Sequence, residues 1–199
     1  KIAFIINPIS GTQGKEHILK WLDEKLDKNR YMPEVIYTEW AGHAVEIASR
    51  KAKEEVFAVV AIGGDGTINE IARSLVHTKT ALGIIPCGSG NGLARHLQIP
   101  MEAKKAIDII NEGLIDIIDY GKINDVPFFC TCGVGFDAFV SLQFSKAGRR
   151  GPLIYLEKTL LESLKYKPET YELEMDGSTS RYKAFRSEER RVGKECRSR

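Results

Sequence analysis

Eight consecutive residues, Gly63-Gly64-Asp65-Gly66-Thr67-Ile68-Asn69-Glu70, combine side chains suited to phosphate chemistry, and they follow the apolar run Phe57–Ile62. Three glycines in four positions let backbone N–H groups approach a polyphosphate with no Cβ in the way, and a helix starting near Thr67 would add the positive end of its dipole. Asp65 places a single carboxylate inside that loop. An anion where anions should bind is costly unless a metal ion or a proton transfer requires it, so the octet predicts phosphoryl transfer rather than phosphate storage. Asp65 is therefore the candidate catalytic residue and the candidate magnesium ligand; the plainer reading is an aspartate that stabilises a turn. Thr67 and Asn69 suit either hydrogen bonding to phosphate or capping of the following helix, and Glu70 suits completion of a cap.

Two further loops have the same character. Pro86-Cys87-Gly88-Ser89-Gly90-Asn91-Gly92 follows the short apolar run Ala81–Ile85, and Asn7-Pro8-Ile9-Ser10-Gly11 follows Ile2–Ile6. Ser89 and Asn91 bring polar side chains that could hold a nucleotide, with Gly88 permitting close approach. Asn7, Ser10 and Gly11 are candidates for phosphate contacts, against the plainer reading of Asn7-Pro8 as a strand-ending turn. Each loop lies at the carboxyl end of an expected strand, where open α/β sheets bind ligands. Other phosphate motifs fit worse. Gly11-Thr-Gln-Gly14-Lys15-Glu16 has the wrong spacing for a P-loop and puts Glu16 where a hydroxyl should hold magnesium, while Gly133-Val-Gly135-Phe-Asp-Ala138 meets only the loose form of a dinucleotide fingerprint.

The elements that must position these loops alternate. An amphipathic helix carries Ile18, Leu22 and Leu26, a strand lies near Val35–Tyr37, and a helix bears Val45, Ile47, Ala48 and Ala52. Helical spacing returns in Ile68, Ile71, Ala72 and Leu75, and again in Ala103, Ala106, Ile107 and Ile110. This order predicts an α/β nucleotide-binding domain with a mostly parallel sheet over residues 1–114. From Ile115 the texture becomes strand-like, Ile115–Ile123 and Val126–Cys132 around an Asn124-Asp125 turn, and Tyr171–Asp176 with Arg181–Phe185 predicts another hairpin. Residues 115–185 are thus expected to form an antiparallel β lobe.

Composition bounds the rest. The 199 residues carry a formal charge of +2 and are 43% hydrophobic, which points to neither nucleic acid nor strong attraction to an acidic surface. No apolar run reaches the ~18 residues of a membrane span, so a cytoplasmic protein is expected. The four cysteines have neither metal spacing nor a disulfide framework. His43 and His96 receive no chemical role, since a lone histidine is more often a packing residue.

Asn7-Pro-Ile-Ser-Gly11, Thr38-Glu-Trp-Ala-Gly-His-Ala44, Gly63-Gly-Asp-Gly-Thr-Ile-Asn-Glu70 and Pro86-Cys-Gly-Ser-Gly-Asn91, in that order, resemble the catalytic domain shared by diacylglycerol kinases and sphingosine kinases. The resemblance covers about residues 1 to 185. NAD kinases share the Gly-Gly-Asp-Gly core but lack the Ile-Asn-Glu continuation and the Gly-Ser-Gly-Asn loop. The resemblance implies an NAD kinase/diacylglycerol kinase-like fold, ATP and Mg2+ as cofactors, and a lipid substrate met peripherally at a membrane surface, with no nucleic acid and no transmembrane segment; it is compatible with a homodimer. It assigns to the nucleotide Asn7, Pro8, Ile9, Ser10 and Gly11, then Thr38, the octet Gly63 to Glu70 with Ile68 included, and Gly88, Ser89 and Asn91.

The same resemblance makes Asp137, after Gly133-Val-Gly-Phe136, the aspartate that orients the acceptor hydroxyl, with a helix N-cap as the alternative. Lys146, Arg149 and Arg150 suit neutralisation of transferring phosphate, and solvated surface charge equally. Leu153, Leu156, Leu160 and Leu164 mark an amphipathic helix, read as core packing ahead of an acyl-chain pocket. The segment 186–199, with nine of fourteen residues charged, has no counterpart in the family and is expected to be a non-native or disordered tail. Family members continue with further strands and a late acidic motif assigned to catalysis, so the resemblance implies an incomplete antiparallel β lobe over residues 115–185. The functional expectation is transfer of the γ-phosphate of ATP to the hydroxyl of a sphingoid base or diacylglycerol; the alternatives are a nucleotide-binding piece without turnover and an NAD kinase-like enzyme.

Overall fold

The computed structural model describes residues 1–10, 15–136, 138–140, 167–175 and 177–190. Gly11, Asp137, Lys146, Arg149, Arg150, the leucine stripe from Leu153 to Leu164 and residues 191–199 lie outside the described residues. The chain divides into two compact units, one spanning Lys1–Cys130 and the other Thr131–Arg190.

In the first unit β1 (Ile2–Ile6), β2 (Pro33–Tyr37), β3 (Ala58–Gly63) and β4 (Ala81–Pro86) form a parallel sheet in the order β2-β1-β3-β4. The connecting helices are α1 (Glu16–Lys25), α2 (His43–Lys53) and α3 (Asp65–Leu75), followed by α4 (Gly92–His96) and α5 (Ala103–Glu112). Both faces of the sheet are covered, which explains why the central strands read as continuous apolar runs. Strand alternation divides β1 between two cores. Ile2, Phe4 and Ile6 pack with Ile18 and Leu22 of α1 and Ile107 of α5, while Ala3 and Ile5 pack with Ile47 of α2 and Ile68 and Ile71 of α3. The expected α/β sheet is therefore present, with α1, α3 and α5 burying faces at the spacing that the sequence predicts; in α2 the buried face is Ala44, Ile47, Ala48 and Lys51, and Val45, expected on it, is exposed.

Departures from the expected elements have local causes. The helix after Gly63-Gly64 begins at Asp65 instead of near Thr67, because extended Gly64 (φ −96°, ψ −172°) serves as its N-cap. The strand-like stretch 115–123 is a strand only at β5 (Gly121–Ile123), which pairs with β6 (Val126–Phe128) through Asn124 and Asp125, both at positive φ (46° and 63°) as a tight hairpin turn requires. Residues 114–120 are rich in β-branched and apolar side chains but have no ladder partner among the described residues, and strand-forming composition without a partner strand does not make a sheet.

In the second unit β7 (Thr131–Gly135) pairs antiparallel with β10 (Arg186–Arg190), and β8 (Glu169–Met175) pairs with β9 (Ser178–Ala184). The Phe136 and Phe185 rings meet at 4.6 Å, and Phe136 N–H donates to the Phe185 carbonyl. The charged composition of Arg186–Arg190 reads as irregular chain, yet its backbone forms a strand: the ladder hydrogen bonds come from main-chain groups and do not require apolar side chains.

Candidate active site

The strand order places a topological switch point between β1 and β3: the chain leaves β1 for β2 on one side and returns to β3 on the other. Ligands of open α/β sheets bind outside the carboxyl ends of strands at such a point. Asn7, at the end of β1, and Thr67, in the first turn of α3, meet there. Asn7 Nδ2 donates to Thr67 Oγ1 at 3.1 Å, and Asn7 N–H donates to the Ile62 carbonyl of β3.

The first loop is shaped from inside. Asn7 Oδ1 accepts the Ile9 N–H at 3.1 Å, and Ser10 Oγ donates to the Asn7 carbonyl at 3.1 Å. Ser10 Oγ also accepts a hydrogen bond from Lys15 Nζ at 2.7 Å, and Lys15 Nζ donates to the Asn7 carbonyl. Ser10 is buried, so it holds the turn, while Pro8 and Ile9 are exposed at its tip. Lys15 is the candidate residue of this loop that the sequence did not single out: its neighbours fail as a P-loop, but it is a buried cation five residues after Ser10, bonded into the turn. The available signal was a lysine shortly after a strand-ending Asn-Pro-x-Ser turn. Thr38, at the end of β2, is buried and donates both its N–H (2.9 Å) and its hydroxyl (3.4 Å) to the Ile6 carbonyl.

The second loop shows why its glycines are glycines. A Cβ on Gly63 would lie 2.7 Å from both Cβ and Oγ1 of buried Thr67, and one on Gly88 would lie 2.7 Å from Gly64 Cα. Gly63, Gly64 and Gly88 thus answer to protein packing. Gly66 does not: a Cβ there would meet nothing within 4 Å among the described residues, and the residue is exposed in the first turn of α3. In a helix, glycine is about 1 kcal/mol worse than alanine, so packing supplies no reason for it. The first intrahelical bond of α3 runs from Ile68 N–H to the Gly64 carbonyl, which leaves the N–H groups of Asp65, Gly66 and Thr67 ahead of the ladder, and Gly64 has no side chain to cap them. An exposed helix end with uncapped amides and an unobstructed Gly66 fits a phosphate chain.

Asp65 has a structural duty that the sequence did not reveal. Its Oδ2 accepts the Asn91 N–H at 2.8 Å and its Oδ1 accepts the Gly92 N–H at 2.6 Å, so the carboxylate bridges α3 to the start of α4. Those two amides answer the objection that an anion in this loop must be neutralised by metal or proton. Capacity remains, because a carboxylate offers about four acceptor positions. Among the described residues no three His, Cys, Asp or Glu side chains cluster as a metal cage. Magnesium bound through one carboxylate and substrate phosphates needs no such cage, and exposed Asp65 beside the α3 amides fits that arrangement.

Asn91 is buried, at φ 55°, and its side chain closes its own loop: Oδ1 accepts the Gly88 N–H (2.9 Å), and Nδ2 donates to the Gly88 carbonyl (2.7 Å) and reaches Met101 Sδ (3.8 Å). The expectation that this side chain faces the nucleotide meets a physical obstacle, since both amide hydrogens are in use. Ser89 is exposed at the tip of the loop, whose Gly90 carbonyl accepts from Arg95 Nε at 2.8 Å. Glu70 caps a different helix from its own, its Oε1 accepting the N–H of Gly42 at the start of α2 (3.3 Å). The half-buried Asn69 side chain makes no hydrogen bond among the described residues, and Ile68 belongs to the core. Burial pushes the Cys87 thiol above its ordinary value, and the Lys15 charge opposes that shift.

The diacylglycerol kinase catalytic domain model matches residues 1–123, which include all three loops and the sheet behind them. The chain belongs to the diacylglycerol kinase catalytic domain family. Relatives within this family include the diacylglycerol kinase of Bacillus subtilis strain 168, 33% identical over 185 residues, covering 89% of this chain and 60% of that protein. The diacylglycerol kinase of Staphylococcus saprophyticus is 35% identical over 130 residues, covering 64% of this chain and 43% of that one. The chain thus spans about half the length of the curated relatives it matches. A crystal structure described as a diacylglycerol kinase from Bacillus anthracis str. Sterne has a TM-score of 0.68 at 23% identity, covering 94% of this chain and 63% of that chain; at that identity the likeness establishes the fold. No helix among the described residues of this family member is long and apolar enough to cross a membrane.

Proposed function

We propose that this chain is the nucleotide side of an ATP- and magnesium-dependent lipid kinase that transfers the γ-phosphate to the hydroxyl of a membrane lipid. The observation that carries the reading is the uncapped first turn of α3 at the β1/β3 switch point, with Gly66 open beside it. In this reading the α3 amides and the β1 loop hold the phosphates. Bound magnesium would neutralise charge on the β- and γ-phosphates, with Asp65 as its protein ligand. The acceptor oxygen forms its bond to γ-phosphorus as the bond to the β-bridging oxygen breaks. The hydroxyl proton goes to the Asp65 carboxylate, and ADP leaves. Substrate class rests on family membership: sphingoid base and diacylglycerol are both candidates, met from the aqueous side of a membrane.

The test is phosphate transfer from γ-labelled ATP with magnesium into sphingoid base, diacylglycerol and NAD, with Asp65→Asn as control. A labelled lipid that disappears in the variant supports the kinase and selects its branch. Label on NAD alone would replace the lipid reading. No product with ATP binding retained would leave a nucleotide-binding unit without transfer activity.

A further inference from the structure

The loop between β2 and α2 carries an aromatic arrangement that none of the roles above uses. The Trp40 indole and the His43 imidazole lie face to face, with ring centroids 3.8 Å apart and planes 5° from parallel. His43 is held in place because its Nδ1 accepts the Glu39 N–H at 3.1 Å. The ring backing Trp40 is thus fixed by the loop's own backbone, yet Trp40 remains 53% exposed. The exposed part of the indole offers an aromatic surface of the kind that stacks on flat rings.

The loop is pinned at both ends to elements of the phosphate site. Thr38 is tied to the end of β1 through the Ile6 carbonyl, and Gly42 is tied to Glu70 of α3. Trp40 lies midway, no more than about 7 Å of chain from either pin. Glu70 in turn lies one and a half turns, about 7.5 Å, along α3 from Asp65. The loop that carries the indole is therefore hydrogen-bonded at its two ends to β1 and α3, the two elements that carry the groups assigned to phosphate.

We propose that Trp40, backed by His43, is the stacking plate for the purine base of the nucleotide, and that it sets the preference for purine over pyrimidine triphosphates. This rests on the phosphate-site reading and extends it to the base. Stacking needs a π face and no particular hydrogen bond, so the plate contributes affinity to any base and most to the larger purines.

The test is calorimetric binding of ATP, CTP and inorganic tripolyphosphate, each with magnesium, to the whole chain and to its Trp40→Ala and Trp40→Phe variants. The chain has two tryptophans, so a Trp21→Phe background makes Trp40 the sole indole reporter. The expected result is ATP affinity about tenfold weaker in Trp40→Ala, little changed in Trp40→Phe, with tripolyphosphate unaffected and ATP quenching the Trp40 fluorescence. Equal ATP affinity in wild type and Trp40→Ala, or equal losses for ATP and tripolyphosphate, would overturn the plate while leaving the phosphate site standing. Binding of neither ATP nor tripolyphosphate by the wild type would overturn both.

Discussion

Gly64 and Gly88 lie back to back, close enough that a Cβ built on Gly88 would stand 2.7 Å from Gly64 Cα. The two glycine-rich loops are therefore in backbone contact, and glycine at position 88 is a packing requirement. Gly88→Ala should destabilise the chain by about 1–3 kcal/mol and weaken ATP binding through displacement of both loops. Gly66→Ala should do the reverse on stability, adding up to about 1 kcal/mol, because it removes a helical glycine without a clash. Chemical denaturation beside ATP titration checks the pair: a stabilised Gly66→Ala with impaired ATP binding would show that ligand approach, not packing, keeps that glycine.

Asp65 joins its two amide partners in α4 as a cap. Asp65→Asn retains one acceptor oxygen but turns an NH2 group toward the second N–H, so α4 loses half its cap, at a cost of about 1–2 kcal/mol. Urea unfolding measures this independently of turnover. A variant as stable as wild type would remove the carboxylate from the cap.

The Asn7–Thr67 hydrogen bond fastens β1 to α3 at the switch point. A double-mutant cycle of Asn7→Ala with Thr67→Val should give a coupling energy of about 0.5–1.5 kcal/mol. Asn7→Ala alone should cost more than Thr67→Val, because Asn7 also holds the Ile9 N–H.

On α2, buried Lys51 bridges Glu34 and Glu54, each at 2.8 Å. Burial disfavours its charge, but hydrogen bonds and charge from the two glutamates outweigh that and hold the ammonium above the ordinary lysine value; the hydrogen bond from Lys51 holds Glu54 below the ordinary glutamate value. The Lys51 contribution to stability is therefore complete below the ordinary lysine range and is lost as pH rises through the raised value. The Glu54 contribution is present above the ordinary glutamate range and is lost as pH falls through the depressed value. Melting temperature followed from acid to alkaline pH should decline at both ends, and Lys51→Met should flatten both limbs.

Cys87 should be a slow thiol, because burial raises its pKa and thiolate is the reactive form. Alkylation rates followed by mass spectrometry should rise at higher pH than for a free thiol. Lys15→Gln should slow the reaction further, since the opposing charge is gone. Rapid labelling at neutral pH would contradict the buried environment.

Much of this protein is set by local pattern. Apolar runs such as Ile2–Ile6 and Ala58–Ile62, alternating with helix-spaced Ile18, Leu22 and Leu26, determine a parallel sheet covered on both faces, because a strand flanked by two helical layers has no polar side. Glycine clustered after each strand determines where a ligand can approach. Segment 115–123 was less legible, since pairing depends on a partner that the segment itself does not encode.

Only the tertiary structure decided which glycine serves which purpose and which polar side chains are free. Gly63 yields to Thr67, Gly88 to Gly64, and Gly66 to nothing among the described residues, a distinction that depends on distances between residues on different elements. Asp65, Glu70 and Asn91 look alike in sequence as phosphate-loop polar groups, yet one caps α4, one caps α2 and one closes its own loop. The sequence alone determined the kinds of group present at the switch point. Folding determined their partners, because a hydrogen bond forms where the backbone brings donor and acceptor to about 3 Å, and one-dimensional spacing does not contain that distance.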